Sequence, residues 1–411
     1  MKNYLLGVFK RSSLNISELL LSVTLCSLVL PRIINSITIG LFFLVSFYLF
    51  LRRNEQRLYF NRLIVLFFIF FIFCSLTSLW SVDFNKSFNG ITRILSFLLL
   101  PLAFLLNPER IRREKVIRNF ILGIFILSLY LLVVAVLNYW SLSNYEVFFY
   151  HNLSNSSAEM NAIYFSVFVS FSLLYLLLNM ETKFDKIALV FFAVILVLLS
   201  SKTIIFVSLL LSIIVAISEK SLILNKTLIL VFLVLVFIGS LFFKKRIVFE
   251  LTNSNLTEVV TKQEFGWEYK WSGLGIRALQ WRVFYELMIE DQVMLQGYGL
   301  KAADKRISEK HKNLKLYSGL IGIDFHNQYL QFIAEIGIIG LSIYVLIFIT
   351  LLKKAIKDKD LALMVFAILI ISVCFSEVFL WRQRGMVFFI VMSLLFFQPK
   401  YKEQVRISTK D

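Results

Sequence analysis

The residues best suited to chemistry are a set of cations and one histidine: Arg93, Lys202, Arg277, Arg282, His326, Arg382 and Arg384. Each falls at the end of an apolar run or in the longest polar stretch of the chain. Ionisable residues at membrane depth are costly and mark candidate functional positions. Guanidinium groups match phosphate oxygens bidentately. An array of Arg and Lys beside lipid-contacting segments therefore suits a lipid-linked phosphate or diphosphate. His326 and Asn327 stand just before an apolar stretch ending in Gly337-Ile338-Ile339-Gly340-Leu341. If a helix runs from His326, positions 326, 330, 333, 337 and 340 share one stripe at about 100° per residue. Small residues let membrane helices approach closely, so the histidine is expected to face packed protein. Glu335 is expected on the opposite side.

Every one of these residues has a plainer reading beside the functional one. A lone arginine at a helix end, such as Arg93, snorkels to head groups. Lys202 fits a structural tight turn, and Arg382 and Arg384 fit interfacial anchors. Trp267 and Trp281 read as interface aromatics as readily as sugar platforms. A histidine at a helix start reads as a cap.

The elements that must position these groups are membrane helices. The 411 residues are 59% hydrophobic with a mean hydropathy of +0.79, and apolar runs of spanning length recur throughout. This indicates an all-α polytopic membrane protein. About twelve transmembrane helices are expected, at roughly 15–31, 34–51, 63–80, 88–106, 119–139, 160–180, 187–200, 203–218, 227–243, 327–352, 361–380 and 385–398. Ser200, Ser201 and Lys202 argue for a tight turn inside 187–218. A net charge of +17 would suggest nucleic acid in a soluble protein. Here the Lys and Arg follow the positive-inside rule instead. With the N-terminus inside, 24 fall in the inner segments and six in the short outer loops and their edges. Both termini are expected to be cytoplasmic, and no nucleic-acid partner is expected. The N-terminal run ends without a small-residue cleavage site and reads as a retained span.

The organisation expected is helices one to nine over 1–243, a large outer loop over 244–326, helices ten to twelve over 327–398, and a tail over 399–411. Within the loop, Ile276, Leu279, Val283 and Leu287 form one stripe, widened by Phe284 and Met288. An amphipathic helix over 276–292 is expected, lying on the membrane or capping the bundle. Gly297-Tyr298-Gly299 punctuates its end. Cys26, Cys74 and Cys374 lie inside apolar runs and form no disulfide or zinc pattern. There is no Walker loop, no Gly-x-Gly-x-x-Gly after a strand, no His-Glu-x-x-His and no Gly-x-Ser-x-Gly.

His326-Asn327, nine residues, then Gly337-Ile338-Ile339-Gly340-Leu341 resembles the signature of the O-antigen ligase and O-antigen polymerase superfamily. Leu199-Ser200-Ser201-Lys202-Thr203 is similar to the family's Ser-Arg-Gly turn between two spans. Ser272-Gly273 with Arg277 and Trp281 resembles its Ser-Gly…Arg-x-x-x-Trp stretch, and Gly297-Tyr298-Gly299 its Gly-x-Gly turn. The likeness is densest over 191–345. Lys202 departs from the common Arg, and Thr203 from Gly, so a point charge replaces a bidentate clamp there.

The resemblance implies glycan transfer from an undecaprenyl-diphosphate-linked donor at the periplasmic face of the bacterial inner membrane, with no metal and no cofactor. The acceptor is lipid A core, a protein or another lipid-linked glycan. It implies His326 as general base, since an imidazole is matched to neutral pH. It implies Arg277 as the principal diphosphate ligand, with Lys202, Arg282 and Arg93 as further substrate-binding cations and Asn327 and Trp281 beside them. The non-enzyme alternative is a twelve-span transporter or flippase of a lipid-linked or anionic substrate. No pair of similar halves favours it.

Overall fold

The computed structural model describes residues 15–53, 60–158, 160–218 and 255–398, with single positions 58, 248 and 252. Among these residues the chain is helical, without strands. The first half contains α1 (Ile16–Cys26), α2 (Arg32–Leu51), α3 (Arg62–Leu76), α4 (Phe84–Ile94), α5 (Ser96–Leu106), α6 (Arg113–Leu142) and α7 (Tyr150–Ala158). Next come α8 (Ala162–Leu178), α9 (Lys183–Leu198) and α10 (Lys202–Ser218). The loop region supplies α11 (Leu256–Thr261), α12 (Gly273–Asp291) and α13 (Ala303–Asn313). The chain closes with α14 (Gln328–Lys357), α15 (Leu361–Cys374) and α16 (Gln383–Phe397).

Many helix starts carry a polar cap that satisfies first-turn N–H groups. Asn15, Asn61, Asp83, Asn161, Thr182, Ser272, Asn327 and Asp360 all accept in this way. Helices stand at every expected span except 227–243, which lies outside the described residues. Among the described residues, five stretches are long and apolar enough to cross a membrane: α2, α3 with its following turn, α4 with α5, α6 and α14. Shorter apolar helices are α1 with its turn, α8, α10, α15 and α16. The expected single span over 88–106 is two helices. α4 is amphipathic and ends with Arg93 in its last turn, and the apolar α5 follows after Leu95.

α8 is buried along almost its whole length, because α6, α7, α9, α10 and α15 all pack on it. A second packing centre is aromatic: Phe70 meets Phe97, Phe332 and Tyr344, while Phe67 meets Phe389. Charges pin the helix ends at the side the sequence assigns to the interior. Glu18 pairs with Arg112, Asp360 with Arg113 and Asp185 with Arg118.

The loop region builds its own small core. Leu279, Val283, Leu287 and Met288 of α12 pack with Val259, Phe265, Tyr298, Ile307 and Leu314. The amphipathic helix expected over 276–292 is therefore present within α12, and its apolar stripe faces this core and the start of α14. His311 is buried in this unit, with its Nδ1 accepting the Gly322 N–H at 3.0 Å and its Nε2 3.1 Å from Gln280 Nε2.

The expected glycine stripe on α14 is interrupted. Gly337 has φ +70° and ψ 179°, which breaks the helix. The Ile338 N–H, which would reach Ala334 O in an unbroken helix, donates instead to Met294 O at 3.0 Å. Ala334 O receives the Tyr298 N–H at 2.7 Å, and Glu335 O receives the Gly299 N–H at 2.9 Å. Gly337 therefore meets backbone of the loop, not a neighbouring membrane helix. A Cβ there would sit 2.0 Å from Leu295 O.

Two predictions follow from this packing. Gly337→Ala combines a left-handed backbone with a backbone clash and should lose at least about 2 kcal/mol. Gly40→Ala, which meets nothing within 4 Å, should be neutral; thermal unfolding of the detergent-purified protein compares the two. Burial pushes the His311 imidazole down to about 4. The unfolded chain then binds the extra proton first, so the loop unit should lose stability as pH falls from about 6.5 towards 4. His311→Gln should flatten that dependence in hydrogen exchange of α12 and α13.

Candidate functional site

His326 occupies the short step between the loop core and α14. Its backbone is left-handed, with φ +48°, a conformation that non-glycine residues keep only when surroundings enforce it. Contacts at three successive residues enforce it here. Phe325 is buried with its ring edge-on to Phe284 at 5.5 Å, and its N–H donates to Gln331 Oε1 at 3.3 Å. The His326 N–H donates to Asp324 Oδ1 at 3.1 Å. The Asn327 side-chain oxygen caps α14 by accepting from Tyr329 and Leu330 at 2.9 and 3.2 Å.

Gln331 is itself fixed from below. Its Nε2 donates to Glu335 Oε1 at 2.6 Å, and Glu335 Oε2 accepts the Lys301 N–H at 2.7 Å. Glu335 is fully buried. A hydrogen-bonded path thus runs from the loop at Lys301 through Glu335 and Gln331 to the backbone beside His326. Glu335 is the intramembrane partner of Gln331 and the loop.

The His326 imidazole faces two carboxylates. Nδ1 lies 3.7 Å from Glu377 Oε2 and 3.8 Å from Asp324 Oδ1. Those distances exceed a hydrogen bond but leave strong charge attraction at a buried nitrogen. Burial alone would lower the imidazole pKa. The carboxylates of Glu377 and then Asp324 outweigh it and hold the group above its ordinary value, with Arg277 opposing them. This electrostatic pattern favours the proton on Nδ1, which leaves the Nε2 lone pair to accept another.

Arg277 is the second cation on Glu377. Its Nη2 lies 3.3 Å from Glu377 Oε1 and 3.5 Å from Ser376 O, and its Nη1 donates to Gly273 O at 3.1 Å. Glu377 therefore bridges Arg277 and His326 from the turn between α15 and α16.

Two cavities open on His326. One, of about 350 Å³, is lined by Arg93, Lys301, Asp304, Asp324, Gln331 and Arg382 among others. The other, of about 260 Å³, is lined by Arg32, Asn161, Tyr164, Asp324, Glu377 and Arg384, and again by Arg382. Arg382 stands between them and pairs with Asp324 at 3.0 Å. The structure thus brings together His326, Arg93, Arg382 and Arg384. Arg277 reaches the same group through Glu377.

The remaining expected residues lie elsewhere. Lys202 begins α10 on an exposed surface and lines neither cavity. The Arg282 guanidinium is engaged inside the loop unit, with Glu286 Oε1 at 2.7 Å, Val259 O at 2.9 Å and Lys262 O at 2.6 Å. Trp281 is half exposed on the outer face of α12. The Asn327 side-chain oxygen is occupied in capping. Glu377, Asp324, Lys301 and Arg32 were not among the expected site residues. Glu377 left one trace in the sequence, as the only acid within the expected span 361–380.

The arrangement can accept a proton at His326 Nε2 and can neutralise anions with Arg93, Arg382 and Lys301. Glu377→Gln removes the nearest carboxylate and should lower the His326 pKa. Titration of the imidazole in histidine-labelled protein by NMR should move to lower pH; an unmoved titration would show that Glu377 does not tune it.

Residues 187–345 match the family model described as O-antigen ligase. That segment runs from α9 through the loop unit into α14, past Gly337 and Gly340. It includes Lys202, Arg277, Trp281, Arg282 and the His326-Asn327 step, so the resemblance read from those residues is borne out over this region. No curated protein matches the chain.

Proposed function

We propose, from the O-antigen ligase domain carried by residues 187–345, that this membrane protein is a glycosyltransferase. It moves an oligosaccharide from a lipid diphosphate carrier to a hydroxyl acceptor. The observation that carries the reading is the position of His326 where two cavities meet, both bordered by Arg382. A two-substrate transfer needs a donor and an acceptor on either side of one proton-accepting group.

In the proposed step the acceptor hydroxyl approaches Nε2 of His326 and gives up its proton there. Its oxygen bonds to the anomeric carbon of the donor, and the bond from that carbon to the diphosphate oxygen breaks. The lipid diphosphate departs with the bonding electrons. Glu377 stabilises the imidazolium that forms, much as a carboxylate does for the histidine of other general bases. Arg93, Arg382 and Lys301 offset the charge on the departing diphosphate, as a cationic clamp does wherever negative charge develops. Arg277 supports the same site through Glu377, so its contribution to diphosphate binding comes with a competing role in orienting that carboxylate. Transfer from an undecaprenyl carrier on the outer side of the inner membrane is the form of this reaction that the family suggests.

His326→Ala should reduce transfer from a lipid-diphosphate glycan by at least about 10²-fold, while purification profile and melting stay those of the native protein. Full transfer by a folded His326→Ala protein would remove the histidine from the mechanism. His326→Gln, which keeps the size but not the basicity, should fail equally.

A further inference from the structure

α12 has two apolar faces, and the core of the loop unit occupies only one. Leu279, Val283, Leu287 and Met288 turn into that core. On the other side, the exposed positions from Gly273 to Ile289 are Leu274, Trp281, Tyr285 and Ile289. Each is aliphatic or aromatic, and none is charged. Trp281, Tyr285 and Ile289 recur at every fourth residue, so they stand in one row along the helix. Tyr285 is 65% exposed and Ile289 56%. Past the helix end Met294 is exposed as well, and Leu295 is 63% exposed. The charged side chains are turned aside into ion pairs: Arg277 with Glu377, Arg282 with Glu286 and Asp291 with Arg306. A helix whose outer side meets water carries polar residues there. The outer side of α12 therefore meets something apolar.

The far end of α12 fixes how deep that surface sits. Lys353 and Lys354 mark the inner end of the apolar part of α14. At about 1.5 Å per residue, Gly337 stands about 24 Å from Lys353, inside a hydrocarbon layer of about 30 Å. Leu295 O lies against Gly337, and Met294 O accepts the Ile338 N–H. Gln296 O accepts the Trp80 indole N–H at 3.1 Å. The segment after α12 thus reaches below the outer boundary of the hydrocarbon. Ile338 and Ile339 of α14, which follow directly on this contact, are exposed too. The apolar surface of the loop unit is therefore continuous with the lipid-facing side of α14. The near end of α12 is also tied, since Arg277 Nη2 lies 3.5 Å from Ser376 O in the turn between α15 and α16. Both ends of the helix are held by membrane elements.

We propose that the outer face of α12, with Met294 and Leu295, is embedded in the outer leaflet of the bilayer. Its partner is the lipid surface itself. Trp281 and Tyr285 stand at the head-group level, and Leu295 lies among the acyl chains. Indole and phenol rings prefer that boundary, where one end is apolar and the other wet. A second copy of the chain fits the face less well. Packed membrane helices meet through small residues, and this row is built from bulky ones. The loop unit is then carried by the leaflet on one side of α12 and closed by its own core on the other. This placement does not depend on the transfer reading.

The test reads what touches the row. Full-length protein carries Cys26→Ser, which removes the partly exposed thiol and leaves the buried Cys74 and Cys374. One spin label at a time is attached at Tyr285→Cys, Ile289→Cys or Leu295→Cys. In liposomes, collisions of these labels with oxygen should exceed those with a water-soluble nickel chelate severalfold, and most at Leu295→Cys. A label at Asn313→Cys, on the exposed end of α13, should show the reverse. Nickel-dominated collisions at 285 and 289 would overturn the proposal by placing the row in water. Labels shielded from both reagents would overturn it in favour of a protein partner, and spin–spin broadening between chains would identify that partner as a second copy.

The native tryptophans supply a second reading that needs no label. The difference in emission between the native protein and Trp281→Phe isolates Trp281. Liposomes of lipid brominated near the carbonyl end of the acyl chain should at least halve that difference relative to unbrominated lipid. An undiminished difference would overturn the head-group placement.

Discussion

The structure depends on one interruption. A helix that breaks at membrane depth exposes carbonyl and amide groups with no water to receive them, at a cost of several kcal/mol each. In α14 the break at Gly337 is tolerated because the loop supplies the missing partners. Tyr298 and Gly299 donate to Ala334 and Glu335, while Met294 accepts from Ile338. The same turn also reaches the other side, where the Val82 N–H donates to Tyr298 O at 3.0 Å and the Leu300 N–H to Thr77 Oγ1 at 3.0 Å. The stretch from Met294 to Leu300 thereby joins α14, the turn after α3 and the start of α4.

Everything near His326 is referenced to that junction. The path through Lys301, Glu335 and Gln331 fixes one side of the imidazole. The other side comes from the turn between α15 and α16, which is tied back to α14 when Leu380 N–H donates to Gln328 Oε1 at 2.7 Å. Gly385 admits that turn, since a Cβ there would lie 2.1 Å from Phe379 O. Glu377 is thus delivered beside His326 by a segment that meets the loop unit through Arg277 of α12. A buried carboxylate is stable only with partners, and this one shares itself between a guanidinium and an imidazole.

Much of this was legible in the sequence, and the limits have physical reasons. Apolar runs located the helices because lipid imposes a composition on any span. His326 was legible because a polar pair before an apolar helix is rare in such a chain, and Arg93 and Arg382 because charges at span ends are few. The break at Gly337 was not legible. A Gly-x-x-Gly in an apolar helix reads equally as helix packing, and the choice depends on a partner forty residues upstream in Gly297-Tyr298-Gly299. Arg282 was misleading for a similar reason: one arginine on an amphipathic helix gives no sign whether it points to a ligand or to Val259 and Lys262 carbonyls. Glu377 and Arg32 required the tertiary arrangement, since neither lies in a motif and both act through residues distant in the chain.

The interruption at Gly337 also bears on how the protein is made. A continuous apolar helix can insert into a bilayer alone and find neighbours later. α14 has no such independence, because its frayed peptide groups are satisfied only by a turn that precedes it in the chain. That turn is synthesised first, so it is available when Gly337 leaves the ribosome and the insertion machinery. Biogenesis therefore has a required order, in which the extramembrane segment acts as an internal template for the helix that follows it. A version of the chain cut between the two and supplied as separate pieces would have to re-create that order by encounter in the membrane, where the broken helix waits with its polar backbone uncovered.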